Sequence, residues 1–161
     1  MKILKFNLLS LIVILGLVLS SCSSDDDSSG NQNPDTYIKF TIDGTAYNFT
    51  DILTAESGVI TLNGNNGAGL TDPGDTQLAL WMPLAISNGS FGVEDSFTAE
   101  YQVSFTSDAL NFDFDFAESG TMTLTQTTGE YIEGTFTATV TNDDDVTITI
   151  ENGEFKAFGI E

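Results

Sequence analysis

Twenty-four carboxylates, four lysines, a single cysteine and neither histidine nor arginine make up the reactive inventory of this 161-residue chain. That inventory excludes most enzyme chemistry before any fold is considered. Without His or Arg, and with its one thiol at Cys22, the chain cannot assemble a Ser-His-Asp or Cys-His nucleophile, a His-bearing or multi-Cys zinc site, or an arginine clamp. Carboxylate chemistry is what remains. A glycan hydrolase needs two carboxyl groups flanking a cleft at about 5 to 9 Å, and Asp113 with Asp115 would stand near the lower bound if they share a strand face. A face that alternates with buried Phe is ordinarily the solvated one, so a non-enzymatic protein is expected. Calcium is the better use of so many oxygens: it takes six to eight, and Asp143, Asp144 and Asp145, or the loop of Asp72 and Asp75, could supply several. Neither run has the spacing of a known calcium loop, and an Asp-rich turn is commonly just a solvated turn. Calcium is therefore the one ion considered, and no other cofactor is expected.

Trp81 is the sole tryptophan. Leu80 and Met82 flank it, and in a strand they occupy the opposite face, so Trp81 could point outward and stack on a sugar ring. The alternative is a core Trp in a strand buried on both faces. Three threonine rows, Thr121/Thr123/Thr125, Thr135/Thr137/Thr139/Thr141 and Thr147/Thr149, should lie side by side on an outer face. A flat Thr lattice would suit ice, but antiparallel strands twist by about 20° each, and Thr is common on any exposed strand face.

Cys22 stands at the end of a leader. Lys2 and Lys5 form a charged start, Leu8 to Leu19 an apolar run broken only by Ser10 and Gly16, and small residues follow. The run is too short for a comfortable membrane span. Leu19-Ser20-Ser21-Cys22 matches the bacterial lipobox, in which small side chains give the peptidase access to the bond before a cysteine that carries diacylglycerol. A lone thiol outside the cytoplasm would otherwise be a liability, and acylation accounts for it. A single acyl chain binds membranes marginally, whereas two or three make attachment effectively permanent.

Residues 1–21 are thus expected to be a lipoprotein signal peptide, and residues 22–35 an acylated cysteine with a flexible acidic tether. The tether holds no large apolar residue that could offset the entropy of ordering. Ser24-Asp25-Asp26-Asp27, close behind the anchor, resembles the surface-export signal of Bacteroidota lipoproteins, which implies an outer-membrane location facing the medium. Past the cleavage site only Lys39 and Lys156 oppose 24 acids, a net charge of −22. A polyanion would be repelled, so nucleic acid is excluded as a partner.

Residues 36–161 should form one domain, since the length suits a single core. Apolar residues recur with period two from Thr36 onward, which calls for strands. Tyr37 to Ile42 and a return strand carrying Tyr47 and Phe49 flank Asp43-Gly44, a tight hairpin turn. Val59 to Leu62 precedes a Gly/Asn/Asp loop with no hydrophobic pattern, read as mobile. Gln77 to Met82 ends at Pro83. Phe97 to Phe105 alternates, and Phe112-Asp113-Phe114-Asp115-Phe116 should put three rings on one face and two carboxylates on the other. Further strands are expected at Thr121 to Gln126, Ile132 to Thr141, Val146 to Ile150 and, after an Asn152-Gly153 turn, Glu154 to Phe158. About nine or ten short strands with polar turns favour an all-β antiparallel sandwich, with a small closed barrel as the alternative.

Gly120-Thr121-Met122-Thr123-Leu124, Gly134-Thr135-Phe136 and Val146 through Phe155 resemble the C-terminal pattern of small uncharacterised Bacteroidota surface lipoproteins, and the Asp43-Gly44 hairpin suits their N-terminal pattern. The resemblance implies a β domain without assigning an activity. The expected function is a lipid-anchored, surface-exposed module that binds or adheres to a glycan or protein. A structural envelope module and a carboxylate-based glycan hydrolase are the alternatives.

Overall fold

Alternation of buried and less buried side chains builds the long strands of the domain. The computed structural model describes residues 35–50 and 52–159, all within one compact unit. Leu19, Ser20, Ser21, Cys22, Ser24, Asp25, Asp26 and Asp27 lie outside the described residues.

The strands are β1 (Tyr37–Ile42), β2 (Thr45–Phe49), β3 (Leu53–Glu56), β4 (Val59–Asn65), β5 (Thr76–Pro83), β6 (Gly89–Val93), β7 (Gln102–Ser107), β8 (Phe112–Gln126), β9 (Tyr131–Thr141) and β10 (Thr147–Phe158). Every pairing is antiparallel, in the order β2-β1-β10-β9-β8-β7-β5-β4-β3, with β6 on β8 beside β9 and β7. The domain is all-β, as the alternation requires. The two layers expected of a sandwich are halves of one curled sheet, continuous through the 15-residue β8. Its N-terminal half pairs with β7 and its C-terminal half with β9 and β6. The curl brings β3 back to β10, where the Thr54 hydroxyl donates to the Phe158 carbonyl at 3.1 Å.

The first hairpin forms as expected: Asp43 and Gly44 have φ of 49° and 77°, and Ile38, Phe40 and Ile42 are buried. Elsewhere the strand boundaries differ. Asn152-Gly153 is a bulge inside β10, since Ile150 faces Ala138 and Gly153 faces Phe136, so the two expected C-terminal strands are one. Phe112 to Phe116 and Thr121 to Gln126 likewise merge into β8. The edge strands β3 and β6 make up the number; both are short, with no buried residue in β3 and only Val93 buried in β6, which leaves little hydrophobic pattern to read. Residues 97–101 are not strand: β7 starts at Gln102 and Phe97 is fully exposed.

The Gly/Asn/Asp loop read as mobile is tied at its base. The Asn66 side chain accepts hydrogen bonds from the backbone N–H groups of Asp75 and Thr76, both at 3.0 Å, and donates to the Asp75 carboxylate. The threonine rows do align across the ladder, with Thr121 opposite Thr137, Thr123 opposite Thr135, and Thr139 opposite Thr149.

Candidate functional site

On β5, Leu78, Leu80 and Met82 are buried, which turns Gln77, Ala79 and Trp81 to the outer face of the sheet. Trp81 therefore points away from the core and is half-buried. Its indole N–H donates to the Ser104 hydroxyl at 3.1 Å, which satisfies the polar edge and holds the ring against the sheet. Its plane meets Phe116 edge-on, with centroids 5.9 Å apart. Phe116 in turn meets Phe114 edge-on at 5.3 Å. The three rings form a row across β5, β7 and β8.

Phe114 belongs to this row because of a bulge. Phe105 faces Asp115, whereas Ser107 faces Phe112, so two steps along β7 match three along β8. An extra residue in one strand switches side-chain parity, because strand side chains alternate strictly. Phe112 enters the core at 1% exposure, while Phe114, on the other side of the bulge, is 57% exposed. The expectation of three rings on one buried face fails for this reason. Leu70, 68% exposed, reaches the same surface from the β4–β5 loop.

Trp81, Phe114 and Leu70 line a shallow groove of about 130 Å³, with Asn63, Gln77 and Thr106 supplying neutral polar groups. Sites that engulf a small ligand occupy ~300–1,000 Å³, so a ligand here would lie on the surface instead of entering the protein. Gln77 is exposed, and its amide makes no side-chain hydrogen bond among the described residues, which leaves both its donor and its acceptor open to a ligand.

The acidic candidates are placed elsewhere. Asp113 is exposed, and Asp115 accepts from the N–H of Phe116 at 2.8 Å; neither lines the groove. Asp143, Asp144 and Asp145 are exposed in the β9–β10 turn, whose shape comes from the buried Asn142, a side-chain acceptor for the N–H groups of Asp144 and Val146. The Asp75 carboxyl is held below its ordinary range, first by the Asn66 side chain and then by the Thr76 hydroxyl. Asp72 is exposed at the far end of the same loop. Among the described residues, no three His, Cys, Asp or Glu side chains gather into a group that could hold a metal ion.

Sequence reasoning singled out Trp81 and missed Phe114, Phe116 and Leu70. The break in the pattern shows only in the folded strand. Phe112, Ala117, Met122 and Leu124 all point inward, and the odd-numbered Ala117 among even-numbered neighbours requires the parity of β8 to change twice. Compared with known protein families, curated proteins and solved structures, the chain gives no match.

Proposed function

We propose that this chain is a lipid-anchored outer-membrane protein, displayed on the cell surface, whose β domain binds a glycan without acting on it. The carrying observation is the aromatic row Trp81, Phe116 and Phe114 on the outer face, with Phe114 57% exposed beside the free amide of Gln77. A pyranose has one face of C–H groups and a rim of hydroxyls. The rings offer the first an apolar surface, and Asn63, Gln77 and Thr106 offer the second neutral hydrogen-bonding partners. An exposed patch of large apolar residues is a mark of a contact surface. Rings fixed by edge-on contacts and by the Trp81–Ser104 hydrogen bond lose little entropy on binding. The absence of Asp113 and Asp115 from the groove lining supports binding without hydrolysis.

The test is a glycan array followed by calorimetric titration of the best oligosaccharide. Phe114→Ala should weaken that binding about tenfold, the equivalent of ~1.4 kcal/mol, while leaving the denaturation midpoint nearly unchanged because the ring is exposed. Unaltered affinity, or an array without a binder, would reject the reading.

The anchor rests on Leu19-Ser20-Ser21-Cys22, and display on Ser24-Asp25-Asp26-Asp27. Cys22→Ala should abolish fatty-acid labelling and release the protein in soluble form. Labelling that persists in the variant would rule the anchor out.

A further inference from the structure

We infer that the aromatic groove selects its glycan by charge, taking uncharged or amine-bearing sugars and refusing uronates and sulfated sugars. The inference rests on the glycan-binding reading above and names the ligand class for that same surface. Phe114, the most exposed ring of the row, shares the β8 bulge with the exposed Asp113, the two standing opposite Thr106 between the Phe105–Asp115 and Ser107–Phe112 partners. Leu70 belongs to the loop that carries the exposed Asp72 and Asp75, and the Asp108 N–H donates to the Asp75 carbonyl at 2.8 Å, which puts the exposed Asp108 beside the end of that loop. The groove lining itself contains no charged side chain.

Among the described residues, the cations are Lys39 on β1 and Lys156 on β10. Each is engaged where it stands. Lys39 lies over the Tyr37 ring at 4.1 Å, and Lys156 lies over the Tyr131 ring at 4.2 Å while pairing with Glu133 at 3.3 Å. Neither lines the groove. An anionic sugar stacked on Phe114 would therefore meet neutral amides and hydroxyls, the exposed Asp113 of the same bulge, and no cation in the groove lining to balance it, a repulsion that salt screens. An uncharged sugar loses nothing in that field, and an ammonium group gains from it.

Titration of the full-length protein in detergent with three length-matched oligomers tests this: an uncharged glucan, a glucosamine oligomer and an oligouronate, at low and high ionic strength. The uncharged oligomer should bind with the same affinity at both. The oligouronate should bind about tenfold more weakly at low salt, and the gap should narrow at high salt. Asp72→Asn with Asp113→Asn, two exposed carboxylates outside the groove lining, should narrow the gap at low salt without altering affinity for the uncharged oligomer. Oligouronate binding equal to the uncharged oligomer at low salt would overturn the charge filter and leave the platform standing. A gap untouched by the double variant would overturn it as a local property. Failure of all three oligomers to bind would overturn the platform, and the filter with it.

Discussion

Gly134→Ala should destabilise the domain by ~3 kcal/mol or more, measured as a shift in the urea denaturation midpoint. A Cβ at Gly134 would sit 2.2 Å from the Thr123 carbonyl oxygen and 2.6 Å from the Phe155 ring. The carbonyl is backbone in β8, the neighbouring strand, so no side-chain rotation relieves the first clash. Gly153 is placed the same way: a Cβ there would meet the Phe136 carbonyl at 2.4 Å and the Phe136 ring at 2.6 Å.

The two glycines work as a reciprocal pair. Gly134 is the cross-strand partner of Phe155, and Gly153 is the partner of Phe136, so each ring lies over the glycine of the other strand. The rings themselves are 6.3 Å apart. Glycine at these points lets the strands approach closely and the sheet coil, and the facing aromatic restores the apolar cover that a missing side chain leaves open. Gly153→Ala should therefore match Gly134→Ala in size. Gly92→Ala is the control, because a Cβ there meets nothing within 4 Å and the residue is exposed on β6. Its effect should be within about 0.5 kcal/mol. Equal midpoints for Gly134→Ala and Gly92→Ala would show that the close approach does not constrain the fold.

Phe40→Ala should cost ~3–5 kcal/mol, the range for truncating a fully enclosed aromatic ring. Phe40 is 2% exposed and touches four rings. Tyr47 stacks on it at 4.9 Å, and Phe49 and Phe105 meet it edge-on at 5.4 Å and 6.3 Å. Phe136 lies tilted at 6.4 Å. Those partners come from β2, β7 and β9, so one side chain ties the β1–β2 end of the sheet to the half that faces it across the core. Phe40→Leu keeps most of the volume and should cost about 1 kcal/mol. A loss below ~1 kcal/mol for Phe40→Ala would show that the surrounding rings collapse into the space and that Phe40 is not the tie between the halves.

The hairpin at Asp43-Gly44 and the inward rows Ile38-Phe40-Ile42 and Leu78-Leu80-Met82 were legible because each depends on residues adjacent in the chain. Alternation sets the face, and a turn dipeptide sets the reversal. The same rule allowed Trp81 an outward direction but left a core Trp in a strand buried on both faces as the alternative, and the structure decided between them. Phe114 was not legible, since it differs from Phe112 only by a bulge whose place is dictated by the partner strand β7. Read alone, Phe-Asp-Phe-Asp-Phe is an unbroken pattern with one buried face.

The sequence by itself determined that the domain is all-β, that it has neither His nor Arg to use, and where most inward faces lie, because composition and period two are properties of the residues themselves and their neighbours. Only the tertiary structure decided that two strand pairs merge into β8 and β10, that the layers are one curled sheet, and that Phe114 joins Trp81 on the outside. Those outcomes turn on register between strands far apart in the chain, as with Thr41 and Glu151, 110 residues apart and hydrogen-bonded at 3.1 Å. A slip of one residue in such a pairing reverses every side chain that follows, and no local pattern records it.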